Sequence, residues 1–258
     1  MSATDRPPIL PAPEGKSTEH AEFLDRIAAA LSTGDVSAEG LLPWSSNYVF
    51  LAVVQTNGFS CRAAYKPQRG ERPLWDFPEG TLCHRETAAY LMSKALGWDF
   101  VPPTVLRDGP HGLGSFQWFV PADPEANYFT LRETYPDEFQ RVALFDILIN
   151  NADRKAGHCL LGFDGRIWLI DHGICFHTQP KLRTVIWDYV GEVIPDGLRV
   201  DLDRFREQLR PRSRLTATLA PLLSAAEIAA LRQRTEQLLT HERFPPPAPG
   251  RPYPWPLV

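Results

Sequence analysis

Cysteine is scarce in this 258-residue chain. Cys61, Cys83, Cys159 and Cys175 fall at irregular intervals without a C-x-x-C pair, which argues against a disulfide-stapled fold and a cysteine-rich zinc ribbon. Long apolar runs are also missing: no stretch reaches the roughly 20 residues that span a bilayer, so no transmembrane segment is expected. The opening MSATDRPPILPAPEGKSTEH has no apolar region behind a basic start, and a cytoplasmic location is the expectation. Neither sign of charge dominates. A net charge of -4 gives no global attraction to polyanions, so nucleic acid is not an expected partner. The G-x-G-x-x-G phosphate cradle is absent, as is any internal repeat.

What is present is apolar patterning interrupted by one dense polar stretch. At 43% hydrophobic, the chain can bury one sizeable core or two lobes around a cleft. Phe139 to Ile149 is apolar nearly all round, as in a buried helix, and runs directly into Asn150, Asn151, Asp153, Arg154 and His158. Cys159-Leu160-Leu161, the turn Phe163-Asp164-Gly165 and Arg166 to Ile170 then read as a hairpin that stops on Asp171-His172-Gly173. A hairpin returns the chain to its starting edge, so Asp153 and Asp171 can converge on one point. That geometry suits phosphoryl transfer, in which one carboxylate takes a hydroxyl proton and another holds a divalent cation. Asp and Asn also close turns and cap helices, which is the purely structural account of the same residues. His158, Cys159, His172, Cys175 and His177 offer zinc-ligand chemistry as well, without the usual spacing.

Asp153-Arg154 with His158, followed by Ile170-Asp171-His172-Gly173, resembles the D-R-x-x-x-N and D-F-G elements of phosphatidylinositol 3- and 4-kinases and of bacterial relatives that include the HipA-like kinases. The chain as a whole, from about residue 40 to about residue 240, resembles an actinobacterial family described as phosphatidylinositol 3-/4-kinase-like. The resemblance implies an α+β, two-lobed protein-kinase-like fold, with a small antiparallel-sheet N-lobe and a mainly helical C-lobe. It makes Asp153 the catalytic aspartate, with Arg154 beside it, and Asp171 the metal ligand. His158 stands where the pattern has a metal-binding Asn, and is read as a second metal and catalytic contact.

Taken in order, residues 1–18 form a polar, proline-containing arm. An N-lobe follows over 19–121, with a helix over 21–31 and strands over 36–42, 47–55 and 59–65, the last two joined by Asn57-Gly58. Residues 79–97 read as a helix, and 104–107 with 113–120 as a further hairpin. A C-lobe covers 122–243, with helices expected over 135–150, 201–209 and 225–239, and a proline-rich, extended tail covers 244–258.

On the kinase-like reading, Lys66 ends the third strand as a phosphate clamp, held by Glu86 of the next helix or, alternatively, by Glu79. Ser45, Ser46 and Asn47 lie in the loop over the phosphates, and Gln117 and Phe119 lie in the strand that borders the adenine. Lys181 and Arg183 are candidates to meet an anionic acceptor. The implied cofactors are ATP and Mg2+ or Mn2+, and the implied acceptor is a hydroxyl on a lipid, inositol phosphate, metabolite or protein. A nucleotide-binding pseudokinase is the alternative, followed by AMP transfer and a structural zinc protein. An imidazole ligand at His158 would favour manganese and would make activity fall as pH drops through an ordinary histidine pKa of about 6.5.

Overall fold

The computed structural model describes residues 18–42 and 47–258. The arm expected over 1–18 lies outside the described residues except for Thr18, and so do Ser45 and Ser46. Alternating apolar and polar residues give five antiparallel strands: β1 Asp35–Leu41, β2 Phe50–Thr56, β3 Phe59–Pro67, β4 Thr104–Gly109 and β5 Gly112–Trp118, in the order β1-β2-β3-β5-β4. Asn57-Gly58 closes the β2–β3 hairpin with Gly58 at φ 82°, a conformation natural to glycine.

One face of this sheet is apolar. Ala52, Val54, Cys61, Ala63, Tyr65, Phe116 and Trp118 are buried there against Ile27, Ala30 and Leu31 of α1 (Thr18–Thr33). Because side chains alternate along a strand, the opposite face of β3 carries Arg62, Ala64 and Lys66. β1, at the edge, is almost wholly exposed.

The helix α2, Leu82–Leu96, ends on Gly97 in the left-handed conformation at φ 72°. Its first turn is capped from a distance: the carboxylate of Glu71 accepts from Leu82 N (3.1 Å) and Cys83 N (2.8 Å), opposite the positive end of the helix dipole. The sequence suggests a single apolar stripe on this helix, with Glu86 on the side away from it. In the fold both sides are covered, since α2 lies between the sheet and the second lobe, and Glu86 is buried along with Ala88 and Met92.

The second lobe is built on α4 (Pro136–Ile149), whose Phe139, Val142, Phe145 and Leu148 pack in one core with Leu202 and Phe205 of α5 (Asp196–Gln208) and Leu231 and Leu238 of α7 (Ala225–His241). Two short helices, α3 (Tyr128–Leu131) and α6 (Arg214–Leu219), were not legible as periodic apolar patterns. The hairpin of β6 (Cys159–Leu161) and β7 (Ile167–Leu169) pairs Cys159 with Leu169. Trp168 of β7 is fully buried, edge-on to Trp118 at 5.4 Å, and so joins the hairpin to the first lobe's core. The tail over 244–258 forms no helix or strand of its own and follows the second lobe, with Phe244 and Pro254 buried. No helix among the described residues is long and apolar enough to cross a membrane.

Candidate active site

Three elements deliver charge to one point between the lobes. Lys66 projects from the cleft face of β3, Glu86 from α2, and Asp171 from the residue pair that follows β7. Lys66 Nζ donates to Glu86 Oε1 and, at 2.9 Å, to Asp171 Oδ1. The second oxygen of Glu86 accepts from the backbone N–H of His172 at 3.0 Å, so the glutamate ties the lysine to the segment that carries Asp171. Burial alone would lower the Lys66 pKa, but the two carboxylates outweigh it and hold the ammonium charged. Lys66 in turn holds Asp171 well below the usual carboxylate range, against the opposing cost of burial. For Glu86, burial pushes the carboxyl up and Lys66 opposes it.

Asp171 sits at φ +62°, in the left-handed region that only short polar residues and glycine adopt readily. That turn points a carboxylate, 49% exposed, into the cleft. A single hard carboxylate suits a magnesium or manganese ion whose remaining ligands come from phosphate oxygens and water, so the donor set fits the metal expected there. It does not fit zinc. Cys159 and Cys175 are fully buried in the apolar core, where burial pushes the Cys159 thiol up to about 12, and among the described residues no group of three or more His, Cys, Asp or Glu side chains could hold a metal ion.

The loop after α4 is fixed by its own asparagines. Asn150, left-handed at φ 51°, ends the helix; its Nδ2 donates to the carbonyls of His177 (2.8 Å) and Gln179 (2.7 Å), and its Oδ1 accepts from Lys181 N (2.9 Å). Asn151 Oδ1 accepts from Asp153 N at 3.0 Å. Residues 153–155 then run extended, so alternate side chains share a side. Asp153 and Lys155 lie together, with Lys155 Nζ 3.1 Å from Asp153 Oδ2. Burial raises the Asp153 carboxyl above its ordinary value, with Lys155 opposing, which makes it a stronger base than a surface aspartate. Lys155 was missed in the sequence; its place two residues beyond Asp153 in an extended stretch was the available signal.

Arg154 points the other way, and its expected catalytic place is corrected. Its guanidinium is 0% exposed and bonds Asp146 through Nε (2.9 Å to Oδ2) and Nη2 (3.0 Å to Oδ1), the carbonyl of Ile170 (3.0 Å) and His172 Nε2 (2.7 Å). A group so enclosed touches no substrate; it ties the loop to the hairpin that carries Asp171.

His158 does reach the cleft, with Nε2 3.3 Å from Asp171 Oδ2. Its Nδ1 faces the N–H of Lys155 at 3.5 Å, which puts the ring proton on Nε2. His158 therefore turns its protonated Nε2 toward Asp171 at 3.3 Å and has no lone pair free for a metal on that side. Burial pulls its pKa down to about 4 despite the opposing pull of Asp171, so the acid limb expected near pH 6.5 cannot come from this ring.

The other candidates divide. Glu79 is exposed and takes no part beside Lys66. Gln117 is buried on the Lys66 face of the sheet, opposite Ala64 in register, and its Nε2 donates to Thr104 Oγ1 at 2.9 Å. Phe119 is partly exposed just beyond β5, but its N–H already bonds the carbonyl of Arg62 at 2.9 Å. Asn47 Oδ1 accepts from Arg72 N at 2.9 Å, joining the loop before β2 to the segment after β3. Lys181 is not free for an acceptor: its ammonium pairs with Asp76 at 2.7 Å and lies 5.1 Å from the Trp75 ring centre. Arg183, half-buried, is held through its backbone to Asn151 and Arg154.

Comparison with known proteins follows this geometry closely. The family described as "Phosphatidylinositol 3- and 4-kinase" matches residues 81–227, a stretch that contains Glu86, Asp153, His158 and Asp171 and leaves Lys66 to be supplied by the fold. Protein Rv2133c of Mycobacterium tuberculosis (strain ATCC 25618 / H37Rv) is 40% identical over 263 residues, covering 88% of this chain and 94% of its own. Phosphatidylinositol 4-kinase gamma 4 of Oryza sativa subsp. japonica is 34% identical over 130 residues, 43% of this chain and 23% of its own. Among solved structures, hydra Fam20 with sugar has a TM-score of 0.53 at 13% identity, over 88% of this chain and 89% of that one. The Golgi casein kinase with Mn/ADP bound has a TM-score of 0.50 at 16% identity, over 86% and 75%. At such identities the structural likeness speaks for the fold alone, and that fold is two-lobed and protein-kinase-like.

Proposed function

The chain belongs to the phosphatidylinositol 3- and 4-kinase family, and on that footing we propose that it transfers the γ-phosphoryl group of ATP, bound with Mg2+ or Mn2+, to a hydroxyl group of an acceptor. The observation that carries this reading is the ammonium of Lys66 shared between Glu86 and Asp171 at the mouth of the cleft. A lysine fixed by two carboxylates is a point charge already in place for phosphate oxygens, and needs no reorganisation when they arrive. A structural neighbour that holds manganese and ADP is consistent with the same cofactors here. Held by Asp171, the cation would neutralise charge on the phosphates.

The rest of the step belongs to the chain's own residues. Asp153, with its raised pKa, takes the acceptor's hydroxyl proton as the new O–P bond forms and the bond from the γ-phosphorus to the β,γ-bridging oxygen breaks, releasing ADP. Lys155 orients that carboxylate from 3.1 Å, and His158 orients the carboxylate of Asp171. The test is transfer of label from ATP to lipids, inositol phosphates, metabolites and protein fractions. Asp153→Asn is expected to lower turnover by at least about 100-fold, or about 2.7 kcal/mol, with nucleotide affinity unchanged. Transfer of the α-label alone would mean AMP transfer instead, and wild-type turnover in the variant would remove Asp153 from the mechanism.

A second reading, a nucleotide-binding protein without turnover, is favoured by one observation: an imidazole occupies the place of the second metal's amide ligand. Thermal stabilisation by ATP and metal, with no label transferred to any fraction, would select it.

For His158→Asn, the ratio of activity with manganese to activity with magnesium is expected to stay as in the parent, because Nε2 faces Asp171 with its proton and is not itself a ligand. A shift toward magnesium would reinstate the ligand role. The stability effect has a definite sign. The folded pKa of about 4 lies below the unfolded value of about 6.5, so the ring's contribution is complete above pH 6.5 and is lost as pH falls toward 4. Urea unfolding at pH 7.5 and 5 should show the parent losing about 2 kcal/mol more than the variant.

A further inference from the structure

The tail crosses two backbone segments that lie against each other beside Asp153. The first is the loop from Asp153 to His158. The second runs from Lys181 to Trp187 and is tied to the first by a parallel bridge between Arg154 and Thr184, with Arg154 N donating to Arg183 O (2.9 Å) and Val185 N to Arg154 O (3.1 Å). Pro252 O accepts from Thr184 N at 3.0 Å and from Trp187 Nε1 at 3.3 Å. Five residues further on, Leu257 O accepts from Ala156 N at 2.8 Å. Between these points Pro254 is buried while Tyr253, Trp255 and Pro256 are exposed, so Pro254 is the proline that faces inward.

The chemistry of this segment fits the role it occupies. Proline has no N–H to satisfy and its ring limits the backbone to extended forms, so the tail offers carbonyls at little cost in lost conformations. The donors it meets need them. Ala156 is fully buried at the start of the short turn that carries His158, where an N–H has no partner within its own turn. Gly157, next in that loop, lies under the tail: a β-carbon built there would stand 3.7 Å from Val258 Cγ1.

We propose that residues 252–258 belong to the active site as a positioning element, holding Asp153 and Lys155 in place by fixing the backbone at Ala156 and Thr184. The inference rests on the phosphotransferase reading for its catalytic consequence, but its structural half stands apart from that reading. Among the described residues the tail makes no hydrogen bond or ion pair with Lys66, Glu86 or Asp171, so nucleotide binding and the work of the loop should separate.

A chain shortened to end at Arg251 tests this, with the full chain as reference. Three quantities are read: affinity for manganese and ADP, label transfer from ATP, and hydrogen exchange at the Ala156 and Thr184 amides. The expected result is ADP affinity within about threefold of the parent, exchange at both amides at least about tenfold faster, and transfer lowered at least about tenfold. Gly157→Val in the full chain is the companion variant. Gly157 does not occupy the left-handed region, so a side chain is tolerated by the backbone and acts by displacing the tail; it should speed Ala156 exchange and lower transfer in the same direction.

Unchanged exchange in the shortened chain would overturn the proposal, and so would fast exchange with undiminished transfer. Loss of ADP affinity together with cooperative unfolding would also overturn it, by making the tail a folding element. If the full chain transfers no label to any acceptor, the phosphotransferase reading fails while the exchange result still decides whether the tail holds the loop.

Discussion

Arg154→Met is expected to lower the unfolding free energy by about 3–5 kcal/mol, because it strips the counter-charge from a carboxylate that has no access to water. Asp146 is 0% exposed and takes Nε and Nη2 of Arg154 together with Nδ2 of Asn151. Without the guanidinium, a buried anion keeps a single neutral donor, and the carbonyl of Ile170 and Nε2 of His172 lose theirs as well. Since whole domains are stable by only about 5–15 kcal/mol, the loss is a large fraction of the total and should appear as a fall in Tm of roughly 10 °C. Arg154→Met with Asp146→Leu should recover much of it, since an apolar pair of similar volume leaves no charge behind. Denaturation of the two single variants and the double variant forms the cycle that checks this. A single variant as stable as the parent, yet inactive, would put Arg154 back among the groups that touch substrate.

Asp171→Asn should weaken binding of ATP with magnesium by about 100-fold or more, or about 2.7 kcal/mol, while leaving the fold in place. The two effects separate for local reasons. Asn tolerates the left-handed backbone at φ +62° as well as Asp does, and the side chain is half-exposed, so little is lost to strain or packing. The amide keeps an acceptor for Lys66 but no longer carries the charge a divalent cation requires. Titration calorimetry with magnesium present and with a chelator present reads the effect directly. Equal affinities in parent and variant would end the metal role of Asp171.

Much of the framework was readable because it is local. Asn57-Gly58 specifies its hairpin, the all-round apolar run from Phe139 to Ile149 specifies a buried helix, and a hairpin between Asp153 and Asp171 must bring the two back toward each other. What could not be read depends on contacts distant in sequence. The wheel of α2 turns Glu86 away from the apolar stripe, which on an ordinary surface helix means water; here the sheet covers that side, and Lys66 waits there. The burial of Arg154 follows from Asp146 one helical turn and a loop earlier, a pairing that sequence spacing does not distinguish from a solvated arginine. The capping of α2 by Glu71 is equally non-local. Lys155 lies outside the motif formed by Asp153, Arg154 and His158, and its pairing with Asp153 follows only once the backbone there is extended, so that first and third residues share a side.

The contacts of α2 carry one more consequence. Arg85 Nη1 donates to the carbonyl of Cys175 at 2.6 Å and its other nitrogen pairs with Glu227 of α7; Glu86 takes the N–H of His172; Asp76, just before the helix, pairs with Lys181; and Phe77 meets the His177 ring edge-on at 5.2 Å. Kinases that are switched on and off commonly swing this helix outward, separating the lysine from its glutamate. In this molecule an outward swing of α2 would have to break two attachments to the segment after Asp171 and one to α7, with the contacts of Asp76 and Phe77 anchoring the stretch just before it. The helix, and with it the Lys66–Glu86 pair, is therefore fastened to the second lobe on two sides.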